Sequence, residues 1–474
     1  MQVPNGNYIN GEWRTDGDHQ LEVINKYTSE VINTVPEANA ALLEEAITNT
    51  EIAFQSYSNT TAEERQNLLL KLTEALKANK DFFAQLISQE AGKPITYAKA
   101  EVERSITTLL NCARQSTQFT GEMIPMDYGA GSTKTAYTIK KPIGPVLGIA
   151  PFNFPLNLAL HKIGPALAVG CSILIKPSPY TPLSLLAFAQ LFDEVGGPNG
   201  VLNVLHTSIE NAETMVKSDV FKMLSFTGSP QIGWKLKDIV GKKKVALELG
   251  GNAGAYIDED ADIDKVAAQC AIGAFLYSGQ ICISTQRIYI HESIYTAFVE
   301  ALKFASEKLK VGDPNKKDTI VGPLIDDIHV NRINDWVLEA KEAGAEIITG
   351  GTVINKSHRL YAPTILANVN PDLKVSCEEV FGPVVIVEPV KDYKVAVEKL
   401  NDSKFGLQAG MFVRDIEKIK WISHHLEVGG IIFNNVPGFR VDTMPYGGVK
   451  DSGLGREGIT YAMEEMTEPR LIVY

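Results

Sequence analysis

Lys244-Val-Ala-Leu-Glu-Leu-Gly-Gly-Asn252 is followed, one helical interval later, by Ser278-Gly-Gln-Ile-Cys-Ile-Ser-Thr-Gln-Arg287. Val245, Leu247 and Leu249 alternate with Ala246 and Glu248, which predicts a strand closed by Gly250-Gly251 with Glu248 near its carboxyl end. Glu248 is expected to point away from the apolar face, toward the edge where open α/β sheets bind ligands. Asp260 and Asp262 then offer helix caps, and Ile263, Val266, Ala267, Cys270 and Ala274 keep helical spacing until Ser278-Gly279. Cys282 is therefore expected on a loop just past a helix end. Taken singly, a glutamate in a strand is usually solvated and a lone cysteine is usually a small core hydrophobe, so the pair gains meaning only from its surroundings.

A chain of 474 residues exceeds one ordinary core and suggests two or three domains. The hydrophobic share of 45% and charged share of 22% are ordinary for a soluble enzyme. A net charge of -12 leaves no basic face for nucleic acid or an anionic membrane, which predicts that neither is a partner. The tight basic run Lys242-Lys243-Lys244 leads straight into a strand and reads as a solvated turn. Cys112, Cys171, Cys270, Cys282 and Cys377 are odd in number and scattered, as expected of reduced thiols in the cytoplasm and not of a disulfide framework or zinc site. The first residues have neither a basic region nor an apolar core, so no signal peptide is expected. Pro142 to Leu160 is uncharged apart from its flanks, but four prolines and two glycines make it buried sheet and loop, not a membrane span.

Along the chain, Tyr8 to Trp13 predicts a hairpin turning on Asn10-Gly11. Residues 39 to 120 read as helices broken at Gly92-Lys93-Pro94. Residues 121 to 141 read as an extended hairpin arm with too little core of its own. From Pro142 strands alternate with helices, at residues 145–150, 172–176, 201–205, 222–226 and 244–249, the pattern of a parallel, doubly wound sheet. The second half repeats the style, with strands at 287–290, 346–349, 384–387, 408–413 and 430–434. The segment 464–474 is strand-like and is expected to pair with the arm.

No Gly-x-Gly-x-x-Gly follows a strand, so the usual dinucleotide fingerprint is absent. Phe226-Thr-Gly-Ser-Pro230 offers another cradle: a strand, a glycine turn, Ser229 as N-cap and Pro230 as first helical residue, where free amides can hold a pyrophosphate oxygen. His161 and the pair His424-His425 lack metal-ligand spacing, so no metal is expected.

These segments, taken together, resemble the signatures of the aldehyde dehydrogenase superfamily. Leu247 to Gly251 and Gly279 to Cys282 match two of them. Pro151 to Pro155, Lys176 to Ser178, Phe226 to Ser229, Glu379 to Pro383 and Pro445 to Glu457 match others, in the family's order over nearly the whole chain. The resemblance implies an α/β fold of two doubly wound parallel-sheet domains plus a small oligomerisation arm. By it, residues 1–123 and 142–250 form the NAD(P)-binding domain, 251–440 the catalytic domain, and 124–141 with 464–474 the arm. It further implies oxidation of a small aldehyde to the acid with NAD or NADP, Cys282 as nucleophile, Asn153 and the Cys282 amide as oxyanion donors, and Glu248 as the base for thioester hydrolysis. A free thiol is only a few per cent ionised at neutral pH, so such a site must activate it.

The resemblance also assigns cofactor positions. Lys176 and Glu379 would bind the two riboses, with Phe381 beside the nicotinamide ribose. Gly228 and Ser229 would meet the pyrophosphate, and Ile232 the adenine. Leu249, Ser178 and Phe152 also belong to the cofactor site, Phe152 standing where tryptophan is commonest. Glu457 is open between a proton relay near Glu248 and a structural salt bridge. Pro179 stands where NAD-preferring relatives often carry a glutamate that repels a 2′-phosphate, so both NAD and NADP are expected to be used; the other reading is that Pro179 only shapes the turn. The expected tunnel walls Leu158, Leu276, Ile281, Ile283 and Phe439 are apolar, whereas Arg104, Arg287 or Arg440 would meet an anionic substrate. The segment Phe439 to Tyr446 is similar to members handling lactaldehyde, semialdehydes or glyceraldehyde phosphate. A CoA-acylating or reductive member is the alternative, disfavoured because such members typically lack the glutamate at position 248. Unpaired strands in the arm predict a homo-oligomer, a dimer or a dimer of dimers.

Overall fold

The computed structural model describes residues 2–474; Met1, the first residue of the expected amino-terminal domain, lies outside them. Two sheets dominate. The first has eight strands in the order Glu12–Arg14, Asn7–Ile9, Leu202–Val204, Ile173–Lys176, Val146–Ile149, Met223–Thr227, Lys244–Glu248, Gly453–Leu454. Its five central strands are parallel. The second has seven strands in the order Glu346–Thr349, Thr364–Ala367, Val384–Val390, Arg287–His291, Gly254–Ile257, Gln408–Phe412, Gly430–Phe433, all parallel except the first pair.

The hairpin forms as expected, with Asn10 and Gly11 both left-handed at φ 52° and 82°, and it adds an antiparallel edge to the first sheet. Chain order in that sheet runs from Val146–Ile149 outward to one side and then, from Met223, to the other. The carboxyl ends of these two neighbouring strands therefore make a switch point, where a crevice opens between diverging connections.

Glu248 ends its strand as expected, but its face is not a polar one. Ala246, on the same side, packs in the core with Leu160 and Met463, while Leu247 and Leu249 pack in the core on the other side. A parallel sheet covered on both faces has no solvated side, so a charged residue at its edge is buried. Helix Asn157–Val169 is buried along its whole length, and it packs against the helix Ile95–Ser116 and against Ile459–Glu465. A helix buried all round belongs inside a large core, and its polar residues Asn157, His161 and Lys162 are hydrogen-bonded there.

The elements not anticipated include two strands of the second sheet and a helix beside it. Gly254–Ile257 is an interior strand of the second sheet, Thr364–Ala367 is another buried strand there, and Asp327–Glu342 is a helix capped by the Asp326 side chain accepting from the His329 amide. The carboxyl tail contributes Thr467–Val473 to a three-stranded sheet with Ala136–Pro142 and Met123–Ile124, whereas Glu464 and Glu465 finish the preceding helix.

Candidate active site

Register brings the site together. Lys176 pairs with Ile149, Ile149 with Phe226, and Phe226 with Leu247, so the Lys176 end, the Asn153 loop, the Gly228 turn and Glu248 all leave one edge of the first sheet at one level. The second sheet meets this edge with its amino ends: Cys282 lies just before Arg287–His291, and Glu379 just before Val384–Val390. A cavity of about 910 Å³ lies between the two edges, and every catalytic and cofactor residue singled out in the sequence lines it.

Cys282 is held by an irregular turn. After helix Ile263–Phe275, Tyr277, Ser278 and Gly279 are all left-handed, with φ 50°, 57° and 68°. Side chains tie the first two down: Tyr277 Oη donates to Ala91 O at 3.0 Å, and Ser278 Oγ to Gly322 O at 2.7 Å. Gln280, fully buried, donates from Nε2 to Pro323 O at 3.3 Å and accepts from the Ile325 amide at 2.9 Å. Non-glycine residues pay for left-handed backbone, so such a turn persists only when its surroundings over-determine it. Gly251 is required for another reason, since a Cβ there would stand 2.5 Å from Cys282 O.

The Asn153 side chain is 5% exposed and donates one amide hydrogen to Gln280 O at 3.0 Å, leaving the second for another acceptor. Its loop runs into helix Asn157–Val169, whose first amides are received by a distant carboxylate: Glu101 Oε1 accepts from Leu156 N at 3.1 Å and Asn157 N at 3.2 Å. Lys93 pairs with Glu101 and lies 3.5 Å from the centroid of the Phe154 ring.

Glu248 is 3% exposed, and among the described residues neither carboxylate oxygen has a hydrogen-bond partner. Burial, and then the nearby negative Glu457, push its carboxyl well above the usual range. Glu457 behaves oppositely. Burial works against its charge, but Lys162 Nζ and Arg440 Nη2, each 3.1 Å away, bring it down to about 2. Lys162 also donates to Thr227 Oγ1 at 2.7 Å and Ser225 Oγ at 3.2 Å. Burial drives the Cys282 thiol up to about 12, against a lowering by the Tyr446 hydroxyl 2.9 Å from Sγ.

Other expectations divide. Leu158 and Arg440 line the cavity, and Ile281 and Ile283 pack around Cys282 and Tyr446. Leu276 instead packs at the margin of the first core. Arg287 is not a substrate residue: its guanidinium donates to Tyr289 Oη, Lys399 O and Asn252 O within the second sheet. Arg104 grips Asp442 with both Nε and Nη2, and the buried His161 and Asn157 hold the same carboxylate. Residues without an expected role also line the cavity. Tyr446, within the carboxyl-terminal segment Pro445 to Glu457, is one of them. His329, Arg332 and Trp336 form one helical stripe on Asp327–Glu342, a spacing present in the sequence.

The crevice fits a dinucleotide. Lys176 Nζ is buried and, among the described residues, donates one long bond, to Pro177 O at 3.5 Å, so it can take a further acceptor. Glu379 Oε1 accepts from the Gly251 amide at 3.0 Å, and burial raises the carboxyl to about 7. Between them the helix Pro230–Ile239 begins at Ser229, and its first-turn amides have no intrahelical acceptor. Phe152 meets Phe381 and Tyr180 edge-on, giving an aromatic wall.

A buried thiol, a separate buried carboxyl and a long crevice with anion-holding and ribose-holding groups are what covalent oxidation of a carbonyl requires. The sequence comparisons agree with that geometry. The pattern of the aldehyde dehydrogenase family matches residues 13–472. The chain is 42% identical over 470 residues, 99% of its length and 97% of the relative's, to a 3-sulfolactaldehyde dehydrogenase of Priestia aryabhattai. Aldehyde dehydrogenase 21 of Physcomitrella patens, solved with the reaction product succinate, superposes with a TM-score of 0.95 at 39% identity, covering 100% of this chain and 99% of that one. An NADP-dependent glyceraldehyde-3-phosphate dehydrogenase of Bacillus halodurans, solved with NADP, gives 0.96 at 31% identity, covering 100% and 99%. With the thiol, the carboxyl and the crevice in one place and the likeness running from end to end, the chain belongs to the aldehyde dehydrogenase family.

Proposed function

We propose that this protein oxidises a short aldehyde carrying an anionic group to the corresponding acid, with NAD or NADP as hydride acceptor. The observation that carries the anionic preference is the charge around the buried end of the crevice. Arg440 lines that end with Lys162 behind it, and these two cations share one carboxylate, Glu457, while burial pushes the Glu248 carboxyl well above the usual range. A negative substituent on the substrate completes the balance. Similarity to a 3-sulfolactaldehyde dehydrogenase and to an aldehyde dehydrogenase solved with succinate supports the same class.

In this reading Cys282 Sγ adds to the aldehyde carbon, and the resulting oxyanion is received by the free Asn153 amide hydrogen and the Cys282 backbone N–H. When bound, the oxidised nicotinamide supplies the hydride acceptor, and Lys176, Ser178, Gly228, Ser229, Ile232, Leu249, Glu379 and Phe381 hold the dinucleotide, with Pro179 at the exposed adenosine end. The thioester left on Cys282 is attacked by water as Glu248 takes its proton. Collapse of the adduct returns the electron pair to Sγ and frees the acid. Burial, and then the negative charge of Glu457 fixed between Lys162 and Arg440, keep the Glu248 proton affinity high.

The free thiols fit the reducing cytoplasm. The divided amino-terminal domain, the catalytic domain and the arm follow the two sheets and the three-stranded sheet, and the arm is proposed to pack on a second copy in a dimer or dimer of dimers.

A panel of aldehydes of matched length tests the substrate reading. With either cofactor, kcat/KM for carboxylate- or sulfonate-bearing aldehydes should exceed that for the neutral analogues by at least about tenfold, the scale of one hydrogen-bonded charge. Equal values refute it. Adding CoA should still yield free acid; acyl-CoA as the product would favour the acylating alternative.

A further inference from the structure

Tyr446 brings a phenol to the reacting sulfur. Its hydroxyl lies 2.9 Å from Cys282 Sγ, and its ring is 4% exposed and packs with Ile283 and Leu407. The ring is fixed from two sides. The Arg440 guanidinium lies 3.7 Å from its centroid, and the backbone exchanges hydrogen bonds with Glu457, Tyr446 N to Glu457 O at 2.9 Å and Glu457 N to Tyr446 O at 2.7 Å. The next residue, Gly447 at φ 153°, lets the chain pass close to Glu248, where a Cβ would stand 3.0 Å from Oε1. One short segment thus meets both the nucleophile and the base. Phenylalanine would fill the same apolar space, so packing does not account for the hydroxyl.

We propose that Tyr446 is a catalytic residue: its O–H donates a hydrogen bond to the Cys282 thiolate, stabilising it before attack and again when it leaves the thioester. The inference rests on Cys282 being the nucleophile. Burial drives the thiol up, and the Tyr446 bond is the one direct side-chain contact acting against that rise. Burial and then the neighbouring thiol raise the phenol itself well above its usual range, so its proton stays on oxygen throughout and the group works as a donor and not as an acid. The thiol proton leaves to solvent before attack. The freed sulfur electron pair forms the S–C bond as the phenol contact weakens, and it returns to sulfur, and to the phenol, when the tetrahedral adduct collapses.

The test is alkylation of the cofactor-free enzyme by iodoacetamide, followed against pH in wild type and Tyr446→Phe, with the modified residue mapped. The midpoint at Cys282 should move up by about one pH unit in the variant, roughly a tenfold slower reaction at neutral pH, the scale of a lost hydrogen bond to a charged acceptor. The alkaline plateau should not fall, because the fully ionised sulfur remains as reachable. A midpoint that is unmoved or lower overturns the inference, as does a lower plateau at an unchanged midpoint, the mark of a purely structural residue. If Tyr446→Phe does not fold, wild type containing 3-fluorotyrosine, a stronger donor, should show a lower midpoint, and an unmoved one overturns the inference. Alkylation at Cys282 that leaves dehydrogenase activity intact would instead refute Cys282 as nucleophile, a separate failure.

Discussion

Glu248 and Glu457 are two carboxyls in one buried site, pushed in opposite directions by their surroundings: burial raises Glu248, which has no hydrogen-bond partner among the described residues, while two cations lower Glu457. Such a pair separates roles, one group held charged and the other able to exchange a proton near the working pH. Because the Glu248 carboxyl is raised, its basic form grows as pH increases toward that raised value. Steady turnover limited by hydrolysis should therefore rise about tenfold per pH unit below it, and the first burst of reduced cofactor should follow a different profile. Glu248→Gln should keep the burst and lower steady turnover by roughly 10²- to 10⁴-fold, the usual worth of a general base; rapid-mixing absorbance separates the two phases. An unchanged steady rate would remove Glu248 from the mechanism. Cys282, Glu248, Asn153 and Lys176 were readable in the sequence because each sits in a short motif. Tyr446 and Lys162 were not, because their roles arise from contacts across 164 and 295 positions that no local pattern records.

The strand–turn–helix at Phe226 to Pro230 formed as its sequence predicted, since Gly228, Ser229 and Pro230 each suit one position of that turn. The Ser229 side chain, however, makes no capping hydrogen bond, so it stays available to a ligand. Gly254–Ile257 was missed because a four-residue strand buried on both faces has no alternation to detect, and its first residue is a glycine. Helix Asp327–Glu342 carried a readable signal in Asp326 and in the buried Val330, Ile333, Val337 and Ala340. The loop after Ile173–Lys176 sets the cofactor prediction. Ser178 is buried while Pro179 is exposed at the crevice rim, so a carboxylate placed at 179 would face the adenosine end without disturbing the core. Pro179→Glu should lower kcat/KM for NADP at least about tenfold more than for NAD, through repulsion of the 2′-phosphate across a partly screened distance. Equal losses for both cofactors would leave Pro179 only a turn residue.

The two sheets meet edge to edge, the carboxyl ends of one against the amino ends of the other, and the cavity exists only because they do. Alternation of strands and helices made the doubly wound class readable, and the pairing of tail with arm was readable from two strands lacking a sheet. How the sheets dock was not, because docking is fixed by groups such as Asn153 and Glu379 that bond across long stretches of chain. The arm leaves a further question of packing. Thr467–Val473 is the outer strand of its sheet, with Leu471, Val473 and Tyr474 exposed at 58%, 47% and 68%. An outer strand offering open backbone groups and apolar side chains is normally covered, and Gly430–Phe433 is likewise an outer strand of the seven-stranded sheet. A second copy can cover both at once with the same two surfaces, closing a two-fold interface. Light scattering at micromolar concentration should therefore give twice or four times the chain mass of 51.8 kDa. Leu471→Glu combined with Val473→Glu places like charges on that strand and should shift the species toward monomer by at least about tenfold in dissociation constant, with raised salt restoring part of the loss as the repulsion is screened. A wild-type monomer at the same concentration would overturn the assembly, and an unshifted double variant would move the interface away from the tail strand.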